Sequence, residues 1–549
     1  MRSSFSLTRN AKPMSAAAAL SVVALAASVP LGASRAVADT APAAGTPTTV
    51  SADPLPTWQI NGVVWSQVTV GTTVYATGSF SKARPPGTAA GSASEVAAAN
   101  IFAFDITTGN RVSTFNHSLN AQGLVISASP DGSRVYVGGD FTTVDGATRN
   151  HIAAFDTASG GLSTTFRPSI SGQVRGIAAT NGTVYAGGNF SSVNGVGRTR
   201  LAAAAASNGA LLSWAPTADN VVRTMTLSPD GTRVIAGGHF TTLSGQAAYG
   251  MGSLDAATGA VLPWAANQTI RDAGSNGAIM SLRADGTTIY GSGYAYGAGA
   301  SFEGTFAAEP STGRIVWLND CHGDTYDVFP IGQVLYSVGH AHDCSAVGQF
   351  PETNPRTWHQ ALAWTTYPTG TNSGPDSYGW NYKGVADSSL LHWYPTLAIG
   401  SYTGQYQAAW SLTGNASYAV LGGEFPSVNG IAQQGLVRFA VRAIAPNKVG
   451  PQASSSLTPT ATSLGGGSVR VAWRATWDMD NRALTYSVLR DGGTTPIYTT
   501  TQWSSFWQLP SLTFTDSGLT PGSTHTYRVQ VVDPLGNRRT SSTSNTVTA

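Results

Sequence analysis

The stretch Val135 to Gly146 reads Val-Tyr-Val-Gly-Gly-Asp-Phe-Thr-Thr-Val-Asp-Gly, and close copies begin at Val184, Val234 and Val420. A repeat of this kind constrains the fold more than any single motif. One copy cannot bury its apolar face alone, so successive copies must pack on one another.

Each copy has the punctuation of short antiparallel strands. In the clearest one, Leu124 to Ser127 alternates as a strand and Pro130-Asp131-Gly132 forms a tight turn. Val135 to Phe141, Ile152 to Asp156 and Leu162 to Phe166 supply three further strands, separated by turns at Asp145-Gly146 and Ser159-Gly160. Four strands in about 50 residues is the unit of a β-propeller blade. The aromatic after Gly-Gly-x recurs as Phe80, Phe141, Phe190, Phe240 and Phe425, with weaker copies ending at Tyr294 and His340. The expected architecture is all-β: a seven-bladed propeller of four-stranded blades over residues 53–442. The last copy lacks a fourth strand after Val441, and Pro54 to Trp58 is expected to provide it, closing the ring. An acid before the third turn (Asp105, Asp156, Asp255, Glu309) is expected to cap that turn through its backbone.

The N-terminus reads as an export signal. Arg2, Arg9 and Lys12 precede an apolar run, and Ala36-Val37-Ala38 has the small-x-small form of a cleavage site. Removing residues 1–38 takes four cations and no acid, leaving Lys and Arg at 26 against 28 acids. No basic cluster remains to neutralise a run of phosphates, so a nucleic-acid partner is not expected. Nor is a membrane span, since no later stretch is apolar for long enough. Residues 39–52, rich in Ala, Thr and Pro, read as a disordered leader. Two insertions stand out, 82–97 in the first copy and 365–387 in the sixth. The aromatics Tyr367, Tyr378, Trp380 and Tyr382 favour order in the second.

Residues 443–458 have linker composition, and 459–549 change character. Val469 to Trp473, Tyr486 to Gly492, Phe514-Thr515-Asp516, Leu519 and Tyr527 to Val531 together resemble a fibronectin type III module, with Leu519 and Tyr527 spaced as in its tyrosine corner. The preceding copies resemble the propeller repeats of secreted proteins from high-GC Gram-positive bacteria. That likeness implies a fold and leaves activity open.

Two groups of residues could carry chemistry. The x of Gly-Gly-x-Phe is Ser79, Asp140, Asn189, His239, Tyr294, His340 and Glu424. Equivalent positions in a propeller lie on a ring about its axis. Unlike polar groups there suit either a ligand or local bonds to the neighbouring blade. The second group surrounds the only cysteines, Cys321 and Cys344, which in an exported chain pair as a disulfide or remain as two thiols. His322, His340, His342 and Asp343 lie beside them, with Asp320 and Asp324 at hand, types that suit a divalent cation, though no ligand spacing is fixed and a polar surface loop fits as well.

No nucleophile elbow or phosphate loop occurs. The expected function is therefore a monomeric exported binding, adhesion or scaffold protein. It would contact protein or glycan outside the cell or at its surface, and require no cofactor. The alternatives are a glycosidase or polysaccharide lyase with the last module as accessory domain, and a structural envelope component. Converging carboxylates would favour the enzyme.

Overall fold

The computed structural model describes residues 45–297 and 299–549; the expected signal segment and the first part of the leader lie outside the described residues. Seven antiparallel sheets follow one another in the chain. Their innermost strands are Val63–Val70, Gly123–Ala128, Gln173–Ala179, Val222–Leu227, Gly277–Ala284, Thr325–Ile331 and Ala409–Asn415. Each packs against the next, and the last packs against the first, so the sheets form a closed ring.

Within a sheet the order is first, second, third strand, as in Gly123–Ala128, Arg134–Gly139 and Ile152–Asp156. The expected fourth strand is long only in the fifth sheet (Ile315–Asp320) and two residues in the fourth (Val261–Leu262). Elsewhere it shrinks to a single bridge, such as Phe155 to Leu162. Polar Ser163-Thr164-Thr165 follows there, and Pro168 lacks the N–H to continue a ladder. Asp105, Asp156 and Asp255 cap turns through backbone N–H groups as expected, Asp105 Oδ1 accepting from Thr107 (3.0 Å) and Thr108 (2.7 Å), whereas Glu309 pairs with the side chains of Thr312 and Arg314.

The repeated Gly-Gly has a steric cause. The first strand of every sheet carries a β-bulge opposite the second glycine, as between Val174 and Gly176 facing Gly188. The bulge presses its backbone onto that glycine: a Cβ at Gly188 would lie 2.0 Å from the Gln173 carbonyl oxygen, and one at Gly423 2.0 Å from that of Ala408. A glycine stands at this position in all seven sheets. The other glycine admits the neighbouring sheet, since a Cβ at Gly138 would meet Val174 Cγ1 at 2.5 Å.

The N-terminal segment closes the ring. Leu55 bridges antiparallel to Arg438 in the third strand of the seventh sheet, and Ser51 N–H donates to Ala440 O at 2.8 Å. Residues 50–52, assigned to a disordered leader on composition, are packed instead: Val50 and Ala52 are buried and the Val50 N–H donates to Tyr336 Oη at 2.8 Å. Burial of Val50 against the sixth and seventh sheets outweighs the propensity of the short Pro- and Thr-rich stretch before it.

Residues 460–549 form two facing sheets of three and four strands around Trp473, Tyr486, Val529 and Tyr527. The Tyr527 hydroxyl donates to Asp516 Oδ2 at 2.9 Å, so its anchor is a carboxylate. This sandwich is not tethered loosely. Its Trp477, Phe506 and Trp507 pack with Phe350 and Tyr394 of the ring, and Tyr394 N–H donates to Met479 O. The stretch read as a linker is held as well: Asn537 Nδ2 donates to the carbonyls of Asn447 and Val449 at 3.0 and 2.9 Å.

Candidate functional site

The seven bulges aim seven side chains at the axis of the ring. They are Trp65, Leu124, Arg175, Arg223, Met280, Tyr326 and Trp410, the residues skipped by each register shift. A bulge re-aims a side chain that regular pleating would turn into the sheet-to-sheet contact. Together these residues form a waist between two axial cavities, of about 600 Å³ and 530 Å³. The second cavity is completed by Gln122, Tyr294, Asp324 and Gln405.

One side of the waist is aromatic. Tyr326 stacks on Trp410 with centroids 4.1 Å apart, and Trp65 meets Trp410 edge-on at 5.0 Å. The other side is cationic. Enclosure and the neighbouring Arg175 lower the Arg223 guanidinium to about 10, so it still carries its charge at pH 7. Burial likewise lowers Arg175, and Asp140 opposes that effect.

The residues expected on the axial ring stand mostly behind this wall and orient it. Asp140 accepts from Gln122 Nε2 (2.7 Å) and Gln173 Nε2 (2.6 Å), while Gln122 Oε1 accepts from Trp65 Nε1 (2.9 Å). His239 Nε2 lies 3.3 Å from Arg223 Nη1, and burial followed by that arginine's charge lowers its pKa, so the ring is neutral. His340 Nδ1 lies 3.0 Å from the Tyr326 hydroxyl, and Glu424 Oε1 accepts from Trp410 Nε1 at 3.1 Å. Ser79 Oγ pairs with the Tyr402 hydroxyl at 3.2 Å. Tyr294 itself lines the cavity, whereas Asn189 is exposed. Sequence reasoning thus found the supports and one residue of the wall, Tyr294, and missed the seven bulge residues. The bulge residues share no chemical type; their trace is the glycine across the strand.

The cysteine region divides. Cys321 and Cys344 form a disulfide. The expected set His322, His340, His342 and Asp343 does not converge: the strand Val334–Ala341 ends before His342, and its pairing with the third strand is irregular between Val338 and Ala341, so the two histidines do not share one regular strand face. His340 turns to Tyr326 and Gln407 on the axial side. His342 stays 6.2 Å from the His322 ring, and burial with nearby Arg356 lowers its pKa to about 4. Asp343 Oδ2 lies 3.9 Å from His322 Nδ1. His322 instead meets Asp320, one of the acids expected at hand, and Asp376, which the sequence did not suggest: its Nε2 is 2.6 Å from Asp376 Oδ2 and 3.9 Å from Asp320 Oδ1. Burial and the adjacent Asp376 raise Asp320 to about 8. Glu303, buried and accepting from Gly323 N–H at 2.8 Å, is raised to about 7 by burial.

Asp272, at the entry to the fifth sheet, is fully buried and accepts from the N–H groups of Ser301 (2.9 Å) and Phe302 (3.1 Å), while its Oδ2 has no partner. Burial raises its pKa well above the usual range. The folded protein therefore keeps a proton that the unfolded chain releases above pH ~4. Stability from this group is complete below that pH and declines as pH rises toward the folded pKa, by up to ~1.4 kcal/mol per unit. Asp272→Asn should flatten the fall in Tm between pH 5 and pH 8. A variant whose Tm follows the wild-type slope would refute this.

Residues 101–246 match the family model of the Rax2 C-terminal beta propeller domain. The chain contains a β-propeller repeat domain. No curated protein matches. One similar solved structure, a chain from "Crystal Structure of Mitotic Checkpoint Complex", is 12% identical with a TM-score of 0.39, and the alignment covers 73% of this chain and 96% of that one. Among the described residues no helix is long and apolar enough to cross a membrane.

Proposed function

We propose that this chain is an exported, monomeric interaction scaffold: a seven-bladed β-propeller, with a fibronectin type III module docked on its sixth blade, that holds an acidic segment of a protein partner in its axial cavity. The observation that carries this reading is the waist of bulge residues, where Arg175 and Arg223 face Trp65, Tyr326 and Trp410 across one enclosure. Guanidinium groups recognise carboxylates by charge-assisted hydrogen bonds, and the aromatic side offers apolar contact at small entropic cost. The N-terminal charge pattern supports export, and the disulfide suits an oxidising compartment.

Catalysis by paired carboxylates has less support. The wall of the second axial cavity contains one carboxylate, Asp324, among amides, arginines and aromatics, and the first contains one, Asp327. Both oxygens of nearby Asp140 are engaged by glutamines.

The test is titration of the mature protein (from Asp39) with oligoglutamate peptides and with acidic oligosaccharides, followed by the fluorescence of Trp65 and Trp410. Saturable, salt-sensitive binding of the peptides is expected. A preference for the oligosaccharides would replace the protein partner with an acidic glycan. If neither binds at millimolar concentration, the axial reading fails.

A further inference from the structure

Apart from the axial cavity, one buried cluster is built from two segments far apart in the chain. Asp320 ends the fourth strand of the fifth sheet, His322 lies in the link to the sixth, and Asp376 comes from the insertion 365–387. We propose that these three residues bind one divalent transition-metal ion of the zinc type, through Asp320 Oδ1, His322 Nε2 and Asp376 Oδ2.

The three donor atoms lie within 4.8 Å of one another. Bonds of ~2.0–2.1 Å in a tetrahedral site place donors about 3.3 Å apart. The observed separations from His322 Nε2, 2.6 Å to Asp376 and 3.9 Å to Asp320, fall on either side of that value. Small rotations of the two carboxyl groups would therefore admit the ion. One imidazole and two carboxylates suit zinc and its first-row neighbours, and a fourth position is left for water.

Asp320 supplies the independent sign of a missing partner. It is 1% exposed, and Oδ1 has no hydrogen-bond partner although it is directed at His322 and Asp376. A buried carboxylate oxygen without a donor is costly, so such groups are normally paired or bound to a cation. The other two ligands are already oriented. Asp376 Oδ1 accepts from the N–H groups of Tyr378 (3.0 Å) and Trp380 (2.7 Å), which leaves Oδ2 for the site. His322 stacks flat on Tyr378 with centroids 3.9 Å apart, and its Nδ1 lies 3.3 Å from Ser377 Oγ, which can accept the Nδ1 proton once Nε2 binds the ion; both contacts orient the ring. The ion would join the fifth sheet, the Cys321–Cys344 link and the insertion at one point.

The experiment uses the mature full chain, stripped with a chelator and then titrated with Zn²⁺. Calorimetry and thermal denaturation give affinity and stabilisation; Co²⁺ substitution reports coordination by its visible absorption. One ion per chain is expected, with a zinc-dependent rise in Tm and a Co²⁺ spectrum of a low-coordinate site. Asp320→Asn and, separately, Asp376→Asn should each weaken zinc binding at least 10-fold while circular dichroism stays that of the wild type. Asp376 lies in an insertion, so at least one of the two variants should remain folded. His340→Ala should bind zinc normally. The proposal is overturned if the wild type binds no zinc at saturating concentration, if Ca²⁺ raises Tm as much as Zn²⁺, or if both asparagine variants retain wild-type affinity.

Discussion

Excising residues 50–58 from the mature chain should abolish the cooperative thermal transition. The reason lies in what this segment joins. It adds the outer strand of the seventh sheet through Leu55, and it is gripped by Arg438, whose guanidinium donates to the carbonyls of Pro56 (2.6 Å), Ile106 (2.6 Å) and Thr107 (2.8 Å) and to Thr57 Oγ1 (3.2 Å). Arg438 is only 2% exposed, so its removal strands buried acceptors in the first and seventh sheets together. Each unsatisfied buried group costs ~1–3 kcal/mol, so Arg438→Leu alone should lose about 3 kcal/mol or more. The segment also fastens the sandwich: Asp480 Oδ2 accepts from Ala52 N–H (2.6 Å) and Ser51 Oγ (2.9 Å). Scanning calorimetry and near-ultraviolet circular dichroism would decide the matter. A deletion variant melting within two degrees of the intact protein would show that the ring closes without this strand.

The second large effect concerns the axial cavity. Arg175→Glu combined with Arg223→Glu should weaken an acidic ligand more than 100-fold. Each charge-assisted hydrogen bond contributes ~1.5–3 kcal/mol, and the reversed charges add repulsion. The fold should tolerate the change, since the two cations are not paired with each other and Arg175 already lowers the proton affinity of Arg223. Raising salt should weaken binding to the wild type, whereas in the double variant it should screen the repulsion and narrow the difference between the two. Trp410→Phe, which keeps the stacking surface but loses the bond to Glu424, should cost less. An affinity for oligoglutamate within threefold of wild type would remove the arginines from recognition.

Much of this was legible in the sequence, for reasons that can be located. The strands declare themselves because Val135 to Gly139 and its copies alternate between turn residues. The ring is implied because no copy can cover its own faces. The Gly-Gly pair was visible, but its cause was not: the glycine yields to a bulge on another strand, and the bulge residue varies from Trp65 to Leu124 to Arg175. Steric demand selects the glycine, whereas the side chain facing the cavity is free to differ, so no pattern marks it. The cluster around His322 was half visible. Asp376, its nearest carboxylate, stands 54 residues away and arrives only once the insertion folds. Docking of the sandwich was hidden for another reason. The Pro- and Ser-rich stretch 443–458 reports its own propensity and says nothing of the aromatic faces, Tyr394 and Phe506, that meet across it.

The strand that closes the ring also sets an order of events. Pro56 finds Arg438 across 382 residues, and Ala52 finds Asp480 across 428. A chain emerging N-terminus first presents residues 50–58 long before either partner exists. The six sheets between must form and curve with one end open, and pairing over such separations is slow. Until then the unpaired edge of the seventh sheet is a template for another molecule's residues 50–58. Crowded nascent chains would exchange this strand and yield dimers whose rings are each completed by the other copy, whereas dilute chains complete their own.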